Sequence, residues 1–452
     1  MCYDDVAWEQ SDDISDSWVE QFHDIGVKKA IGYFILRHDS GDKPRLSLIG
    51  KGSFNIILRM KYTHKSTDIR FSQPGAILFP EEKTKNEIAV MRYIADQTSI
   101  PVPCVLHSGT RDESPLKLSP FIMMSHIDHK TNMYAALNVP GYPAEKRGYL
   151  NPDIDEDDLR KLYAELAKVL LKLAKPAFPS IGSLVQVDDF TWEVASRPLS
   201  MNMNELVRLG GLPRSKLPPL DATFKSTSSY IEALAQLNIQ HLIHQRNNAI
   251  ESADDCRRKY VARQLFYKLA KEKKLFNPCH EHGPFRLWCD DLRPGNVLLN
   301  DDMQWHNGIE DWTRVFDRRL YTFLSAIRHC EDAEGLYGQF RLSDKMQKSW
   351  DTGDFWVVYA VLHSFAFDAI YWLKIDKRYF GPTESDDASE AWKERVQLLD
   401  ESQRDEMENL VTKKLAEMES RVLAWEPDEY TAEFRQVLKK KRKEELSNPP
   451  PC

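Results

Sequence analysis

A polar cluster between two apolar runs, in residues 283–313, constrains this chain more than any other stretch. The apolar run Phe285–Trp288 leads into Cys-Asp-Asp-Leu-Arg-Pro-Gly-Asn, and the apolar run Val297–Leu299 follows. This order predicts two short strands that flank a loop presenting charge, with Pro294-Gly295 making the turn. An ordinary surface turn of Asp, Pro, Gly and Asn is the competing interpretation.

Three side chains of this stretch offer oxygen ligands. Asp291 and Asn296 lie in the loop, and Asp311 follows near the end of the stretch. The set suits phosphoryl transfer: one carboxylate accepts the proton of an attacking hydroxyl, while an amide oxygen and a second carboxylate hold Mg2+ against nucleotide phosphates. Arg293 adds a fixed positive charge inside the loop.

The stretch resembles the catalytic core of the aminoglycoside phosphotransferase and choline kinase-like family, the small-molecule branch of the protein-kinase-like fold. Six residues match the family pattern His-x-Asp-Leu-x-Pro-x-Asn and the short strand ending Ile-Asp-Trp that follows it: Asp291, Leu292, Pro294, Asn296, Asp311 and Trp312. The resemblance implies that Asp291 is the catalytic base and that Asn296 and Asp311 are metal ligands.

Three positions depart from that family pattern. Cys289 replaces the His, Glu310 replaces an apolar residue, and Thr313 follows the Trp. Because a thiol is a weak hydrogen-bond donor, we expect Cys289 to brace the loop less well than His, or Asp290 to take over that task.

The small lobe of such a fold is predicted upstream. From Arg45 the sequence reads as strand, glycine turn and strand, with Gly50, Gly52 and Ser53 in the turn. Backbone N–H groups of a glycine turn can approach phosphate oxygens, although a lone Gly-x-Gly in a hairpin is more often only a hairpin turn.

A strand around Ile69–Phe71 precedes a helix that begins near Pro80. By resemblance, Arg70 on this strand grips the nucleotide phosphates and pairs with Glu87 on the helix. A surface salt bridge is the alternative, and three other residues compete for these roles: Arg59, Lys61 and Glu81. The resemblance also implies a hinge at residues 125–128, where backbone groups of Ser125 and Ile127 would bind adenine.

The fold class expected is α+β, a protein-kinase-like fold of two lobes. The small N-terminal lobe has an antiparallel sheet and one main helix, and the larger C-terminal lobe is mostly helical. The expected divisions are an acidic N-terminal extension (1–44), the small nucleotide-binding lobe (45–128), the large lobe with the catalytic loop 285–300 and the metal ligand Asp311 (129–383), and a charged helical C-terminal extension (384–452).

Composition limits the partners. With 61 Lys and Arg against 69 Asp and Glu, the net charge is −8, which disfavours non-specific nucleic-acid binding. The most apolar run, Trp356–Phe367, is too short to cross a bilayer, and the acidic start resembles no signal peptide. Seven cysteines without paired spacing indicate a reducing compartment, so we expect a cytoplasmic protein without a membrane partner.

The sequence therefore predicts a phosphotransferase that moves a phosphoryl group from ATP, or from GTP, to a hydroxyl of a small molecule, with Mg2+. Four acidic residues could suit a cationic acceptor: Asp317, Glu331, Asp332 and Glu334. A pseudokinase-type nucleotide- or metabolite-binding scaffold, or a pocket repurposed for another nucleotide-dependent reaction, stays open as an alternative. A protein kinase is disfavoured because Trp312 stands where Phe-Gly would begin an activation segment. The oligomeric state is left open.

Two further clusters of residues could indicate other functions. Four metal-binding residue types lie close together: Cys279, His280, His282 and Cys289. Their spacing fits no zinc pattern, and nothing orders a base and a carboxylate for thiol catalysis. The basic run 439–443 precedes two glutamates and is typical of a solvated helix face.

Overall fold

The structure is a computed structural model, and its small lobe contains three helices and a sheet. It describes residues 1–129, 131–139, 151, 153–292, 298–299, 309–338, 341–384 and 389–447. The small-lobe elements, in chain order, are α1 (Asp5–Glu20), α2 (Ile25–His38), β1 (Arg45–Lys51), β2 (Asn55–Lys61), β3 (Ser66–Ser72), α3 (Pro80–Gln97), β4 (Val105–Gly109) and β5 (Phe121–Ser125). The five strands form an antiparallel sheet in the order β1-β2-β3-β5-β4.

The sheet has an apolar face and a charged face, because successive side chains of a strand point to opposite sides. The apolar face is formed by buried residues of three strands: Ile56, Leu58, Met60, Ile69, Phe71, Phe121 and Met123. Register places Arg59 opposite Asp68, and Ile57 opposite Arg70, on the other side. The charged face therefore carries Arg59, Asp68 and Arg70.

The two N-terminal helices cover the apolar face. Trp18 of α1, Phe22 of the short 3-10 turn and Ile31 and Ile35 of α2 are fully buried in one cluster with the sheet. Residues 1–44, expected as an extension outside the small lobe, thus share its core. The sequence analysis missed this because α1 is acidic and polar on its outer side, and helix periodicity alone does not say what a buried stripe packs against.

The large lobe is mostly helical. Its first elements are β6 (Thr131–Asn132), α4 (Met133–Ala136), α5 (Glu156–Leu173), the hairpin β7 (Ser183–Asp188) and β8 (Thr191–Ser196), α6 (Met201–Leu209), α7 (Thr227–His244), α8 (Ala253–Lys271) and β9 (Leu298–Leu299). They are followed by α9 (Ile309–Ala333), α10 (Leu342–Thr352), α11 (Asp354–Leu362), α12 (Phe367–Ile370), a π-helical turn (Tyr371–Ile375), α13 (Asp376–Phe380), α14 (Ala391–Arg395), α15 (Glu401–Met418) and α16 (Glu429–Ser447). The expected architecture of a sheet lobe and a helical lobe is confirmed.

Helix α5 illustrates how local sequence sets an element. Asp155 caps its N-terminus by accepting hydrogen bonds from the backbone N–H groups of Asp157 and Asp158, each 3.0 Å long. Leu159, Tyr163, Ala167 and Leu171 form a buried stripe at a four-residue spacing, which packs against α9. The helix ends before Pro176, whose ring cannot continue it.

The chain ends tie the two lobes together. Asp4, before α1, accepts a hydrogen bond of 2.9 Å from the Asn247 side chain in the large lobe, whereas Trp18 at the other end of α1 lies in the small lobe. Likewise, α15 packs on α8, while Tyr430 of α16 packs against the apolar face of the sheet. Among the described residues, no helix is long and apolar enough to cross a membrane.

Candidate active site

An ion pair joins β3 to α3 on the charged face of the sheet. Nη2 of Arg70 lies 2.6 Å from Oε1 of Glu87, close enough for an ion pair although Nη2 lacks hydrogen-bond geometry towards any described partner. Lys83, one helical turn earlier, places its Nζ 3.1 Å from Oε2 of the same carboxylate. The structure therefore brings together the two residues that the resemblance nominated.

The electrostatics of this pair favour a charged carboxylate. Burial alone would raise the pKa of Glu87, but the positive charges of Arg70 and Lys83 outweigh burial and lower that pKa. Glu87 is therefore ionised at neutral pH. An Arg held by such a carboxylate presents a permanent charge with a planar fork, which suits phosphate oxygens.

Two of the three residues that competed for these roles have other partners. Arg59 pairs with Asp68 through Nε and Oδ1, 2.8 Å apart. Glu81 accepts a hydrogen bond of 3.0 Å from the backbone N–H of Arg111. Lys61 is exposed at the end of β2, opposite Arg45. Neither Arg59 nor Glu81 contacts the Arg70–Glu87 pair.

The two glycines expected in a turn lie at the end of β1, where Gly50 pairs with Ile57, and just after β1, at Gly52. Both have open space above the backbone. A Cβ built on Gly50 would meet no heavy atom within 4 Å, and one on Gly52 would meet only Asn55 O at 3.5 Å. Ser53 is exposed. Neither glycine is needed here for a positive φ, so the open space is what distinguishes this turn, and it fits the approach of phosphate oxygens.

Helix α1 is linked to Gly52 by hydrogen bonds through the side chain of Gln73. Gly52 O accepts a hydrogen bond of 2.7 Å from Nε2 of Gln73, and Ser15 of α1 donates one of 2.7 Å to Oε1 of the same glutamine. No sequence motif pointed to Ser15 or Gln73, because their relation to the turn exists only once α1 lies beside β3.

Several backbone groups of the segment expected as a hinge already make hydrogen bonds within the protein. The Ser125 N–H donates to Cys104 O at 2.9 Å, and the His126 N–H donates to Ser66 O at 3.0 Å. Ile127 O accepts a hydrogen bond of 2.9 Å from Nδ1 of His129. The Ser125 N–H is thus occupied by the neighbouring strand in this conformation, which corrects its expected availability to a nucleotide base.

Two contacts hold the start of the catalytic stretch. Phe285 and Phe178 exchange backbone hydrogen bonds of 2.9 and 3.0 Å, and Nη1 of Arg286 donates to the carbonyls of Lys175 and Pro176 at 2.8 and 2.9 Å. The strand expected over residues 285–288 is only this one bridge. Pro284 lacks an N–H, so pairing cannot extend towards the N-terminus.

The far end of the loop lies next to the hinge segment. Leu298 and Leu299 of β9 pair with Asn132 and Thr131 of β6, just after residues 125–128. Asn296, two positions before β9, lies outside the described residues, as does Arg293. The pairing nevertheless places the returning end of the loop beside the connection between the lobes.

Asp311 lies in helix α9 and not at the end of a strand, which corrects the expectation. Further along this helix, Leu324 and Ile327 are buried at helical spacing in a cluster with residues of α5. Residues 300–308, where the expected strand would run, lie outside the described residues.

Asp290 makes hydrogen bonds that hold the loop, the task for which Cys289 was expected to be a weaker substitute than His. Oδ2 of Asp290 accepts from the Met201 N–H at the first residue of α6, and Oδ1 is 3.3 Å from Nε1 of Trp288. A carboxylate is stabilised at a helix N-terminus. Removal of water from the Cys289 sulphur raises the pKa of the thiol, although the residue as a whole is exposed, so it stays protonated at neutral pH. Asp291 follows Asp290 in a half-buried turn.

His363 is a neighbour of this loop that the sequence analysis did not single out. It follows α11, its ring centroid lies 4.2 Å from that of Tyr359, and Asp290 acts on its charge. Burial lowers the pKa of His363 while Asp290 opposes that shift, so the ring is neutral at pH 7. A lone His in an apolar run carries no sequence signal for such a position.

The four acidic residues considered for a cationic acceptor have structural partners. Asp317 accepts from Nε1 of Trp350 at 3.0 Å, and the buried Glu331 accepts from the Ser343 backbone N–H at 3.0 Å. Asp332 pairs with Arg341, and Glu334 pairs with Lys175 at 2.8 Å. In the part of the chain that the structure describes, no three His, Cys, Asp or Glu side chains form a metal-binding group.

Comparison with protein-family models and with curated proteins finds no match. The chain is similar to solved structures of small-molecule phosphotransferases. A thermostable mutant of an aminoglycoside phosphotransferase, in a ternary complex with AMP-PNP and hygromycin B, is 12% identical with a TM-score of 0.36, covering 76% of this chain and 98% of that chain.

Two other structures show a similarity of the same size. An ethanolamine kinase of Plasmodium vivax is 12% identical with a TM-score of 0.34 over 82% of this chain and 88% of its own. Spectinomycin phosphotransferase, bound to ADP and spectinomycin, is 12% identical with a TM-score of 0.35 over 86% of this chain and 98% of its own. These are the kinds of protein that residues 283–313 resemble. With TM-scores this low, function is inferred from the residues of this chain.

Proposed function

We propose that this chain is a small-molecule kinase that transfers the γ-phosphoryl group of ATP, or of GTP, to a hydroxyl acceptor. The observation that carries the proposal is the Arg70–Glu87 ion pair, which joins the central part of the sheet to α3 on the charged face. An Arg held in place by an ionised Glu is a preorganised grip for nucleotide phosphates. The open space above Gly50 and Gly52 supports a phosphate site on the same lobe.

The remaining roles are assigned to the catalytic stretch. Asp291 would orient the acceptor hydroxyl and take its proton, and Arg293 would stabilise negative charge on the phosphoryl group. Asn296 and Asp311 would hold Mg2+, which when bound offsets the charge of the phosphates. Asp290, fixed at the N-terminus of α6, would hold Asp291 in position.

The proposal also covers the position of the nucleotide's adenine and the cellular compartment of the protein. Adenine would lie at the hinge segment 125–128, with Ile127 the hinge residue assigned to it and Ser125 lining the site through its side chain. The six described cysteines are free thiols, which supports a reducing compartment such as the cytoplasm. The acceptor is a small hydroxylated molecule.

Binding calorimetry tests the nucleotide site. ATP and GTP are titrated into the protein with and without Mg2+, and we expect Mg2+-dependent binding of one of them. Arg70→Ala should weaken that binding by about ten- to a hundredfold, as for a lost charge-assisted contact. Lys65→Ala is the matched control, since Lys65 is an exposed cation at the turn before β3, paired with Asp39.

A second variant separates binding from chemistry. Asp291→Asn should retain nucleotide affinity but lower the rate of phosphoryl transfer to hydroxylated acceptors by about two to four powers of ten. Failure of both nucleotides to bind at millimolar concentration contradicts the proposal. Normal binding without transfer to any acceptor, in the protein and in the variant alike, favours the nucleotide-binding scaffold.

A further inference from the structure

A cavity of about 1010 Å3 lies on the opposite side of α3 from the Arg70–Glu87 pair. Its walls come from α3, β4, the β7–β8 hairpin, the 3-10 turn Arg214–Lys216 and the start of α16. We name it the α3 side cavity. Its size is at the upper end of small-molecule sites, and apolar side chains line it beside charged ones, including Ile88, Leu184 and Tyr430.

Two of the five carboxylates that line this cavity pair with cations. Glu82 forms two contacts with Arg197, of 2.6 and 2.8 Å, and Asp112 pairs with Lys117 at 2.8 Å. Burial raises the pKa of Asp428, whose oxygens accept from Thr431.

The two remaining carboxylates, Glu81 and Glu429, stand in the first turns of α3 and α16. There the positive end of each helix stabilises them.

Three cations of the cavity lack a direct ion pair within the described part of the chain, and of these the charge of Arg214 acts on Asp428, where it opposes the effect of burial on the pKa. Lys85, Arg92 and Arg214 line the cavity, and none makes an ion pair with a carboxylate that the structure describes. Arg92 donates to the neutral Gln186 at 3.0 Å, and Arg214 lies over the Phe79 ring, 4.8 Å from its centroid. Oγ of Ser196, also in the lining, is buried with no hydrogen-bond partner among the described residues.

This combination fits an anion with an apolar body. The cations without a direct ion pair attract a negative group, and the arginine forks match phosphate or carboxylate oxygens. Ser196 can donate a hydrogen bond to the same group. The apolar walls accommodate the rest of the molecule.

Helix α3 connects this cavity to the phosphate grip. Each helical residue turns the direction by about 100°, so Lys85 and Ala89, two positions before and after Glu87, face away from it. Lys85 and Arg92 belong to α3, whereas Arg214 belongs to the large lobe. A ligand held by all three would fix the position of α3 relative to the large lobe, and with it Glu87.

We propose that the α3 side cavity binds an organic oxyanion, a phosphate or carboxylate on an apolar body, and that its occupancy controls the Arg70–Glu87 grip through α3. The binding half stands on the cavity alone. The control half rests on the proposed kinase function.

The binding half is tested by calorimetry with 2-naphthyl phosphate, 2-naphthoate and the neutral 2-naphthol. We expect one molecule of an anionic probe to bind per chain, 2-naphthol to bind more weakly, and the better of the two anions to identify the preferred group. The double variant Lys85→Ala/Arg214→Ala should weaken binding by about tenfold or more, as for two lost charge-assisted contacts.

Two controls make this result specific. Lys161→Ala/Lys168→Ala removes two exposed lysines of α5, each paired only with a neighbour on its own helix, and should leave binding unchanged. Arg70→Ala should weaken binding less than Lys85→Ala/Arg214→Ala does, because Arg70 lies outside the cavity and reaches it only through α3. Loss of binding in Arg70→Ala but not in Lys85→Ala/Arg214→Ala would place the probe in the nucleotide cleft and overturn the inference, as would equal binding by all variants or no binding at millimolar concentration.

The control half is tested by measuring ATP affinity with and without saturating probe. We expect the ATP dissociation constant to change by about fivefold or more, and ATP to change the probe's affinity by the same factor, because such coupling is reciprocal. If ATP binds equally with and without probe, the control half is wrong. If ATP never binds while the probe still depends on Lys85 and Arg214, the proposed kinase function fails and the binding half is retained.

Discussion

The two faces of the small-lobe sheet are built from the same strands but follow different rules. On the apolar face, Phe71 and its neighbours are buried under Trp18, Phe22, Ile31 and Tyr430 of the terminal helices. On the charged face, Arg59 and Arg70 stay partly exposed, and each pairs with a carboxylate that also has a second partner. The first face is held by burial of apolar area, and the second by individual polar contacts.

This difference indicates where stability and function reside. Burial of apolar area is non-directional and large in sum, so the apolar face tolerates no lost volume but needs no particular chemistry. Partly exposed ion pairs contribute about 1 kcal/mol or less each, so the charged face adds little stability. Its Arg and Glu residues are thus available for a ligand.

The largest effect should come from opening the apolar face. Trp18 is fully buried, stacks edge-on against Phe22 at 4.8 Å between centroids and hydrogen-bonds to the Tyr430 hydroxyl. We expect Trp18→Ala to lower the free energy of unfolding by about 3–5 kcal/mol, measured by urea denaturation. Trp8→Ala, on the same helix but 41% exposed, is the control and should lose far less. Equal losses would mean that α1 is not part of the small-lobe core.

A smaller loss is expected from the most buried carboxylate of the charged face. Asp68 is 9% exposed, contacts Arg59 Nε at 2.8 Å and lies 3.0 Å from Nδ1 of His126. Asp68→Ala leaves Arg59 without its partner, so we expect a loss of about 1–3 kcal/mol in denaturant titrations. Asp128→Ala is the control, because Asp128 is exposed and only approaches His126 at 3.5 Å. A loss above that of Trp18→Ala would reverse the ranking of the two faces.

The smallest effect should be the pH dependence of the Arg70–Glu87 pair. The pKa of Glu87 is lowered in the folded protein from an ordinary value of 4.5, so the ionised carboxylate stabilises the fold above that value. This contribution is lost as the pH falls through the lowered folded pKa.

Wild-type protein should therefore exceed Glu87→Gln in stability by less than about 1 kcal/mol near neutral pH. The difference should disappear below the folded pKa, as followed by thermal unfolding across that range. A difference that grows towards acid pH would contradict the lowered pKa.

Much of the small lobe was predictable from local pattern. Alternation of apolar residues identified β1 to β3, and Pro80 with two following glutamates marked the start of α3. These features depend on neighbours within a few positions, where side-chain direction is fixed by the backbone geometry.

Other expectations failed because distant contacts decide them. The apolar run Trp356–Phe367 does not form one continuous helix: α11 ends at Leu362, and Ser364 and Asn202 exchange two hydrogen bonds of 3.0 Å. Asp311 was expected at the end of a strand, yet it lies in α9, a helix whose later turns pack against α5. The hydrophobic periodicity within a segment carries no information about which distant segment will pack against it.

The sequence by itself limited the candidates for the proposed phosphate grip to Arg59, Lys61 or Arg70, with Glu81 or Glu87. Only the tertiary structure shows that Arg70 pairs with Glu87. Sheet register sets which Arg shares a face with α3, and the packing of α3 sets which Glu reaches it. The cover of the apolar face by α1 and α2, the support of the glycine turn by Ser15 and the cavity behind α3 were decided in the same way. They depend on segments far apart in the chain, whose contacts form only when apolar burial offsets the entropy lost in ordering them.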